Sequence, residues 1–236
     1  MHRRLARQHA GSGIAGAGGY PAWMEIGTSA GPARAELALP AGRPAFVLVL
    51  THGAGGTPDS PDLLAVRDAA LGLGGAVALI TQAYRVAGRR APGSAGRQDA
   101  AWAEAVAAVR DAVGRQIPLI QGGRSNGARV ACRTARAVGA AAVIALAFPL
   151  HPPGKPERSR AGELRTGGPA VLVVNGERDP FGIPDPADAS QVIVLPGETH
   201  ALSRNPAAAG QAAAAWLRDQ VLGPGRRGRA AVTRPG

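Results

Sequence analysis

The chain has 236 residues, 45% of them hydrophobic, with a formal net charge of +11 and an isoelectric point near 11.5. That length supports one domain with a large core and is too short for two of ordinary size. Such basicity invites a nucleic-acid partner, but seven of the eleven net charges lie in two Gly-rich tails without acidic residues, 1–20 and 223–236, so the body is only mildly basic and specific nucleic-acid binding is not expected as the main function.

Both tails lack hydrophobic periodicity, so residues 1–20 and 223–236 are expected to be disordered, flanking one folded domain over 21–222. Lys155 is the only lysine, and the dominance of Arg, Ala and Gly reads as the composition bias of a GC-rich genome. A single cysteine, Cys132, rules out an internal disulfide and suits a reducing cytoplasm, where it reads as a small core residue. Arg3-Arg4 is followed by no apolar export region, and no apolar run approaches a membrane span, so neither export nor membrane insertion is expected.

The first pieces with strand character are Trp23 to Ile26 and Ala35 to Leu39, which read as an antiparallel edge joined by a turn at Gly27–Gly31. From Ala45 onward, short apolar runs alternate with amphipathic stretches. Buried strands are expected at Ala45–Thr51, Ala76–Thr81, Ile117–Gln121, Ala142–Ala147, Ala170–Val174 and Gln191–Leu195. Helices are expected at Pro61–Leu73, Arg97–Val113, Asn126–Val138 and Pro206–Val221. This alternation predicts an α/β fold, a mostly parallel central sheet with helices on both faces. Ligands of such sheets bind at the strand carboxyl ends, where the non-periodic loops 84–96, 148–168 and 180–190 fall. The longest of these loops suffices for a small lid and not for a large cap domain.

Ser125 stands in Gly123-Arg124-Ser125-Asn126-Gly127, between an apolar run and a helical pattern, the context of a nucleophile elbow. A serine on a sharp strand-to-helix turn presents its hydroxyl above the sheet, and flanking glycines let backbones crowd there. With 34 glycines in the chain the motif is not specific, and a second copy exists at Gly27-Thr28-Ser29-Ala30-Gly31. Pro32 follows that copy and no helix begins there, so Ser29 reads as a turn residue.

Acyl transfer by a serine needs a base, an acid that orients the base, and N–H donors for the developing oxyanion. Asp179 follows the strand ending at Val174 and His200 follows the strand ending at Leu195, which gives the chain order Ser, Asp, His. Glu177 competes as the acid but lies nearer the sheet, and His151 competes as the base but precedes Asp179, which breaks the order. His151 is expected to line a pocket or cap the Pro-rich loop instead; His52 and Phe181 are further substrate-side candidates, with His52 reading as a loop-packing residue rather than a catalyst. Thr51-His52-Gly53-Ala54-Gly55-Gly56 sits where one half of an oxyanion hole is expected, its donor the Ala54 N–H, with the Asn126 N–H as the other. No Gly-Lys-Ser/Thr follows, so this is not a nucleotide loop, and His52, His151 and His200 lack metal-ligand spacing. No cofactor and no metal are expected.

Four stretches together resemble a known family. Thr51 to Gly56, Gly122 to Thr134, Phe148 to Pro156 and Asn175 to Gly182 look like the alpha/beta-hydrolase-like domain shared by bacterial dienelactone-hydrolase-like proteins, a testis-expressed animal protein and the scaffold subunit of a nuclear histone-acetyltransferase complex. The likeness spans roughly residues 23–220, and Pro-Leu-His-Pro-Pro-Gly-Lys-Pro at 149–156 is its most specific part. It implies an alpha/beta-hydrolase fold with Ser125 as nucleophile, Asp179 as acid and His200 as base. True dienelactone hydrolases carry Cys at the elbow, so that substrate does not carry over. The expectation is a cofactor-free serine hydrolase acting on a small-molecule ester or thioester; the alternative is a non-catalytic binding or scaffold module of the same fold.

Overall fold

The computed structural model of the protein describes residues 22–165 and 168–223. The expectation of disorder in the basic tails, 1–20 and 223–236, falls almost wholly outside the described residues. Eight strands form one sheet: β1 (Ala22–Thr28), β2 (Gly31–Ala38), β3 (Val47–Thr51), β4 (Ala76–Thr81), β5 (Leu119–Arg124), β6 (Ala142–Leu146), β7 (Ala170–Gly176) and β8 (Gln191–Leu195). Their spatial order is β1-β2-β4-β3-β5-β6-β7-β8. Strands β3 to β8 run parallel, and β1 and β2 add the antiparallel edge expected from the sequence. The Gly27–Gly31 copy of the motif is the hairpin turn between them, with Ser29 exposed and its amide held by Glu104 of a neighbouring helix.

The helices are α1 (Pro61–Gly72), the short α2 (Ala83–Val86), α3 (Ala95–Val113), α4 (Asn126–Thr134) and α5 (Pro206–Leu217). Residues alternate along the strands between two cores. Val47 and Val49 face one core, with Trp102, Val106 and Val109 of α3 and Val130 and Ala131 of α4. Leu48 and Leu50 face the other, with Leu63 and Val66 of α1 and Trp216 and Leu217 of α5. Helices therefore cover both faces, and the parallel strands β3, β4 and β6 are buried along nearly their whole length. The connection from β6 to β7 carries only a 3-10 turn at Ala161–Glu163 among its described residues, so no cap domain covers the strand ends.

Strand β5 runs three residues further than the apolar pattern suggested, through Gly122 and Gly123 to Arg124. The two glycines are ladder residues, paired with Leu50 and Thr51 on one side and Ile144 and Ala145 on the other. A Cβ at Gly122 falls 2.4 Å from the Ile144 carbonyl oxygen and one at Gly123 falls 2.6 Å from that of Thr51. Glycine is here a packing requirement of the sheet's centre rather than a sign of loop. Helix α4 is shorter than expected, ending at Thr134 before a turn in which Gly139 takes φ +66°. Helix α2 was missed because four residues carry no readable period.

Candidate active site

Ser125 follows the last residue of β5 and precedes the first of α4. Its backbone takes φ 54°, ψ −114°, a conformation that strains any residue with a Cβ, at a cost of about 1–3 kcal/mol. Hydrogen bonds hold it there: Ser125 N donates to the Leu146 carbonyl at 2.9 Å, and Arg129 N donates to the Ser125 carbonyl at 3.2 Å. Close packing does the rest. A Cβ at Gly127 falls 2.6 Å from the carbonyl oxygens of Thr51 and His52, so α4 presses directly on the loop after β3. A Cβ at Gly53 falls 3.1 Å from the Ser125 Cβ, which brings the 52–56 loop against the elbow itself.

Three side chains expected to act together do meet. His200 Nε2 lies 2.9 Å from Ser125 Oγ, and His200 Nδ1 donates to Asp179 Oδ2 at 2.8 Å. A carboxylate only accepts, so Nδ1 carries the proton and Nε2 faces the hydroxyl with its lone pair. The Asp179 carboxyl is shielded from solvent, and its other oxygen accepts from Phe181 N at 2.9 Å. Glu177, the competing acid, is exposed and accepts instead from Gly197 N at 2.8 Å. His151, the competing base, turns its Nδ1 to the Pro152 carbonyl and packs its ring on Gly182, whose absent Cβ would fall 2.5 Å from Nε2. Its main chain donates to the Phe181 carbonyl at 3.0 Å, so His151 borders the Asp179 loop. Phe181 lies against His200, with ring centroids 4.3 Å apart.

His52 differs from the expectation of a substrate contact. It is fully buried, with Nδ1 donating to the Gly53 carbonyl at 2.8 Å and Nε2 accepting from Gln82 N at 3.1 Å. Both ring nitrogens are spent on the main chain, and burial, with the Arg85 charge nearby, holds its pKa below the ordinary 6.5. His52 therefore shapes the 52–56 loop and offers no ring atom to a ligand. Arg85 secures the same loop from outside through the Gly56 carbonyl at 3.0 Å, and its guanidinium also donates to the Arg89 carbonyl after α2 at 3.1 Å. The Tyr84 hydroxyl approaches the Gly53 carbonyl at 3.5 Å, and burial pushes its pKa up to about 12. The Asn126 N–H, at the first position of α4, has no intrahelical acceptor, and neither it nor the Ala54 N–H meets an acceptor among the described residues.

Three further residues of the site were not singled out from sequence. Fully buried Asn175, at the end of β7, accepts from Phe148 N at 2.8 Å and donates to the carbonyls of Phe148 and Gly182 at 3.0 and 3.1 Å, tying the Asp179 loop to the loop after β6. Its signal was a lone amide closing an apolar strand. Arg124 donates to the His200 carbonyl at 2.7 Å and pairs with buried Asp62 of α1 at 3.0 Å. Arg89, Arg90, Lys155 and Arg158 are exposed loop charges. Cys132 is buried, and desolvation raises its thiol pKa well above the ordinary value, as a core residue requires. Among the described residues no cluster of three His, Cys, Asp or Glu could hold a metal, and no helix is long and apolar enough to cross a membrane.

Residues 44–202 match the sequence model of the family described as "Alpha/beta hydrolase domain". No curated protein matches the chain. Among solved structures, it is similar to an α/β serine hydrolase without lid from Xanthomonas campestris, 20% identical over 86% of this chain and 96% of that one, TM-score 0.66. It is also similar to Est1E from Butyrivibrio proteoclasticus, 16% identical over 85% and 99% of the two chains, TM-score 0.69. A third likeness is to a dienelactone hydrolase from Anabaena variabilis, 18% identical over 85% and 98%, TM-score 0.66. At these identities the structural likenesses speak to the fold: an alpha/beta hydrolase without a lid.

Proposed function

Because the chain belongs to the alpha/beta hydrolase domain family, we propose that it is a serine hydrolase that cleaves a small-molecule carboxylic ester or thioester through an acyl-serine intermediate. The observation that carries this reading is the unbroken hydrogen-bonded row Asp179–His200–Ser125, with 2.8 and 2.9 Å links. Ser125 Oγ attacks the carbonyl carbon while His200 Nε2 takes its proton, and Asp179 holds the ring in the tautomer that leaves Nε2 free. The Ala54 and Asn126 amides stabilise the oxyanion; their lack of acceptors among the described residues supports that role. His200 then protonates the leaving alcohol or thiol and takes a proton from water as the water oxygen attacks the acyl carbon; when the acyl–Oγ bond breaks to release the acid, His200 returns that proton to Ser125 Oγ.

No step needs a metal or cofactor. Phe181 and His151 flank the base and acid and form the wall the substrate meets on that side. A scaffold module that kept this fold without turnover would have no use for a strained serine in hydrogen-bond reach of a carboxylate-oriented histidine. The reading extends to a cytoplasmic setting, in line with the single buried cysteine. The test is a screen of short- and long-chain chromogenic esters and thioesters with Ser125→Ala as control, together with fluorophosphonate labelling and peptide mapping. Turnover lost in Ser125→Ala and a probe adduct on Ser125 are expected; an adduct on another residue of active protein, or no turnover of any ester, rejects the reading.

A further inference from the structure

The residue immediately before Ser125 reaches across to the proposed base. Arg124 Nη2 donates to the main-chain carbonyl of His200 at 2.7 Å, 76 positions along the chain. From the same guanidinium plane, Nε lies 3.0 Å from Asp62 Oδ2. Asp62 is fully buried and Arg124 largely so, with 19% of its side chain exposed.

Asp62 is the second residue of α1, behind Pro61, where the unpaired amides of a helix start favour an anion. Burial raises its pKa, and Arg124 is the leading influence that opposes the rise. Among the described residues Arg124 is its only ion-pair partner. A buried carboxylate so placed fixes the guanidinium more firmly than an exposed one, because losing either partner leaves a desolvated charge.

We propose that Arg124 is a positioning residue for the hydrolytic reaction, anchored by Asp62, that sets the reach of His200 toward Ser125. The argument is geometric and rests on the function proposed above. Ser125 is carried by the backbone of Arg124, and His200 is gripped by its side chain, so the two ends of the 2.9 Å Oγ–Nε2 contact are referred to one residue. The other bonds of the loop holding His200 run within it or to the Asp179 loop: Leu202 N donates to the Thr199 carbonyl, Leu202 takes φ 46°, Glu198 accepts from Asn205 N before α5 begins, Arg178 N donates to the Glu198 carbonyl at 2.8 Å, and Gly197 N donates to Glu177. None of those bonds points at the elbow. Asp179 fixes the tilt of the ring, while Arg124 fixes where its main chain stands. The guanidinium makes an ion pair with the Asp62 carboxylate on one side and donates a hydrogen bond to the His200 carbonyl on the other, a span that its broad, planar head covers and a compact lysine ammonium does not.

The test compares wild type with Arg124→Gln, Arg124→Lys and Asp62→Asn. Readouts are kcat and KM on an ester the wild type hydrolyses, the melting temperature, and the His200 Nδ1–H resonance in protein carrying 15N-histidine, assigned with His200→Gln. Arg124→Gln is expected to lower kcat about 10- to 100-fold with KM changed less than about twofold, since misplacing a reacting group acts on the transition state. Its Nδ1–H resonance is expected to broaden or exchange away while the other core signals persist. Arg124→Lys is expected to recover part of kcat, and Asp62→Asn to fall the same way by a smaller factor.

A folded Arg124→Gln with wild-type kcat and an unchanged His200 resonance overturns the proposal. So does a general loss of core signals in step with the melting temperature, which assigns Arg124 to the fold alone. If Arg124→Gln does not fold, Arg124→Lys, which keeps a charge against Asp62, carries the same comparison. If wild type turns over no ester, the hydrolase reading fails separately, and the resonance of His200 in the Arg124 variants still decides whether Arg124 positions it.

Discussion

Asp179 divides its carboxylate between two jobs: Oδ2 holds His200 Nδ1 at 2.8 Å, and Oδ1 takes the amide of Phe181 at 2.9 Å. The second bond closes the 179–181 turn on itself, so the acid cannot rotate away from the imidazole without breaking its own loop. The same turn places the Phe181 ring 4.3 Å from the ring of His200. One carboxyl therefore holds the His200 imidazole at its edge and sets the Phe181 ring beside it.

His200→Ala is expected to abolish nearly all ester turnover with little change in melting temperature, because the ring is held by site residues and not by the core. Asp179→Asn is expected to lower kcat about 10³- to 10⁴-fold by favouring the wrong imidazole tautomer. Glu177→Gln, which loses one exposed hydrogen bond to Gly197 N, is expected to cost far less. Steady-state kinetics of the three variants check the assignment, and a damaging Glu177→Gln beside a mild Asp179→Asn reverses the choice of acid.

Gly127→Ala is expected to destabilise the protein by about 1–3 kcal/mol or more, since its Cβ meets the carbonyl oxygens of Thr51 and His52 at 2.6 Å and neither backbone can give way cheaply. Gly96→Ala in α3 has nothing within 4 Å and is expected to gain up to about 1 kcal/mol from helix propensity. Urea unfolding of both variants measures the contrast. Equal stabilities contradict the close seating of α4 on the loop after β3.

Asn175→Ala removes three hydrogen bonds in a fully buried site and strands the Phe148 amide and two carbonyls. A loss of at least about 2 kcal/mol is expected from those unsatisfied groups. Because the Gly182 carbonyl is one of them, kcat is expected to fall as well, through the released Asp179 loop. Denaturation and kinetics on the same preparation test both, and a variant as stable as wild type contradicts the bridge.

His52 gives a pH signature. In the unfolded chain its imidazole takes up a proton near pH 6.5, whereas in the folded protein burial lowers that pKa. Between the two values the unfolded state binds more protons, so stability is complete above pH 6.5 and is lost as pH falls toward the folded pKa. One such proton contributes a slope of at most about 1.4 kcal/mol per pH unit. The slope of unfolding free energy between about pH 7.5 and 5.5 is expected to be shallower in His52→Gln than in wild type. Identical slopes place the titration elsewhere.

Most of the sheet was legible because its strands are apolar throughout, as burial on both faces demands, and their spacing by helices forced a parallel order. The residues that meet as Asp179, His200 and Ser125 were legible for the same reason, since loops after parallel strands all open on one edge. Where a strand depended on contact and not on composition, the sequence misled. Gly122 and Gly123 looked like loop, but only there can the carbonyls of Ile144 and Thr51 approach so closely.

Tertiary structure alone decided the roles of the polar residues. His52 and His151 are alike as loop histidines in sequence, yet one is sealed by Gln82 and Gly53 and the other packs on Gly182 beside the Asp179 loop. Arg124 and Asp62 are separated by 62 positions and share no period or motif, so nothing local couples them; the fold that brings the start of α1 to the end of β5 does. Hydrophobic pattern is written along the chain at the repeat of each strand and helix, whereas a charge finds its partner only after burial makes an unpaired one costly.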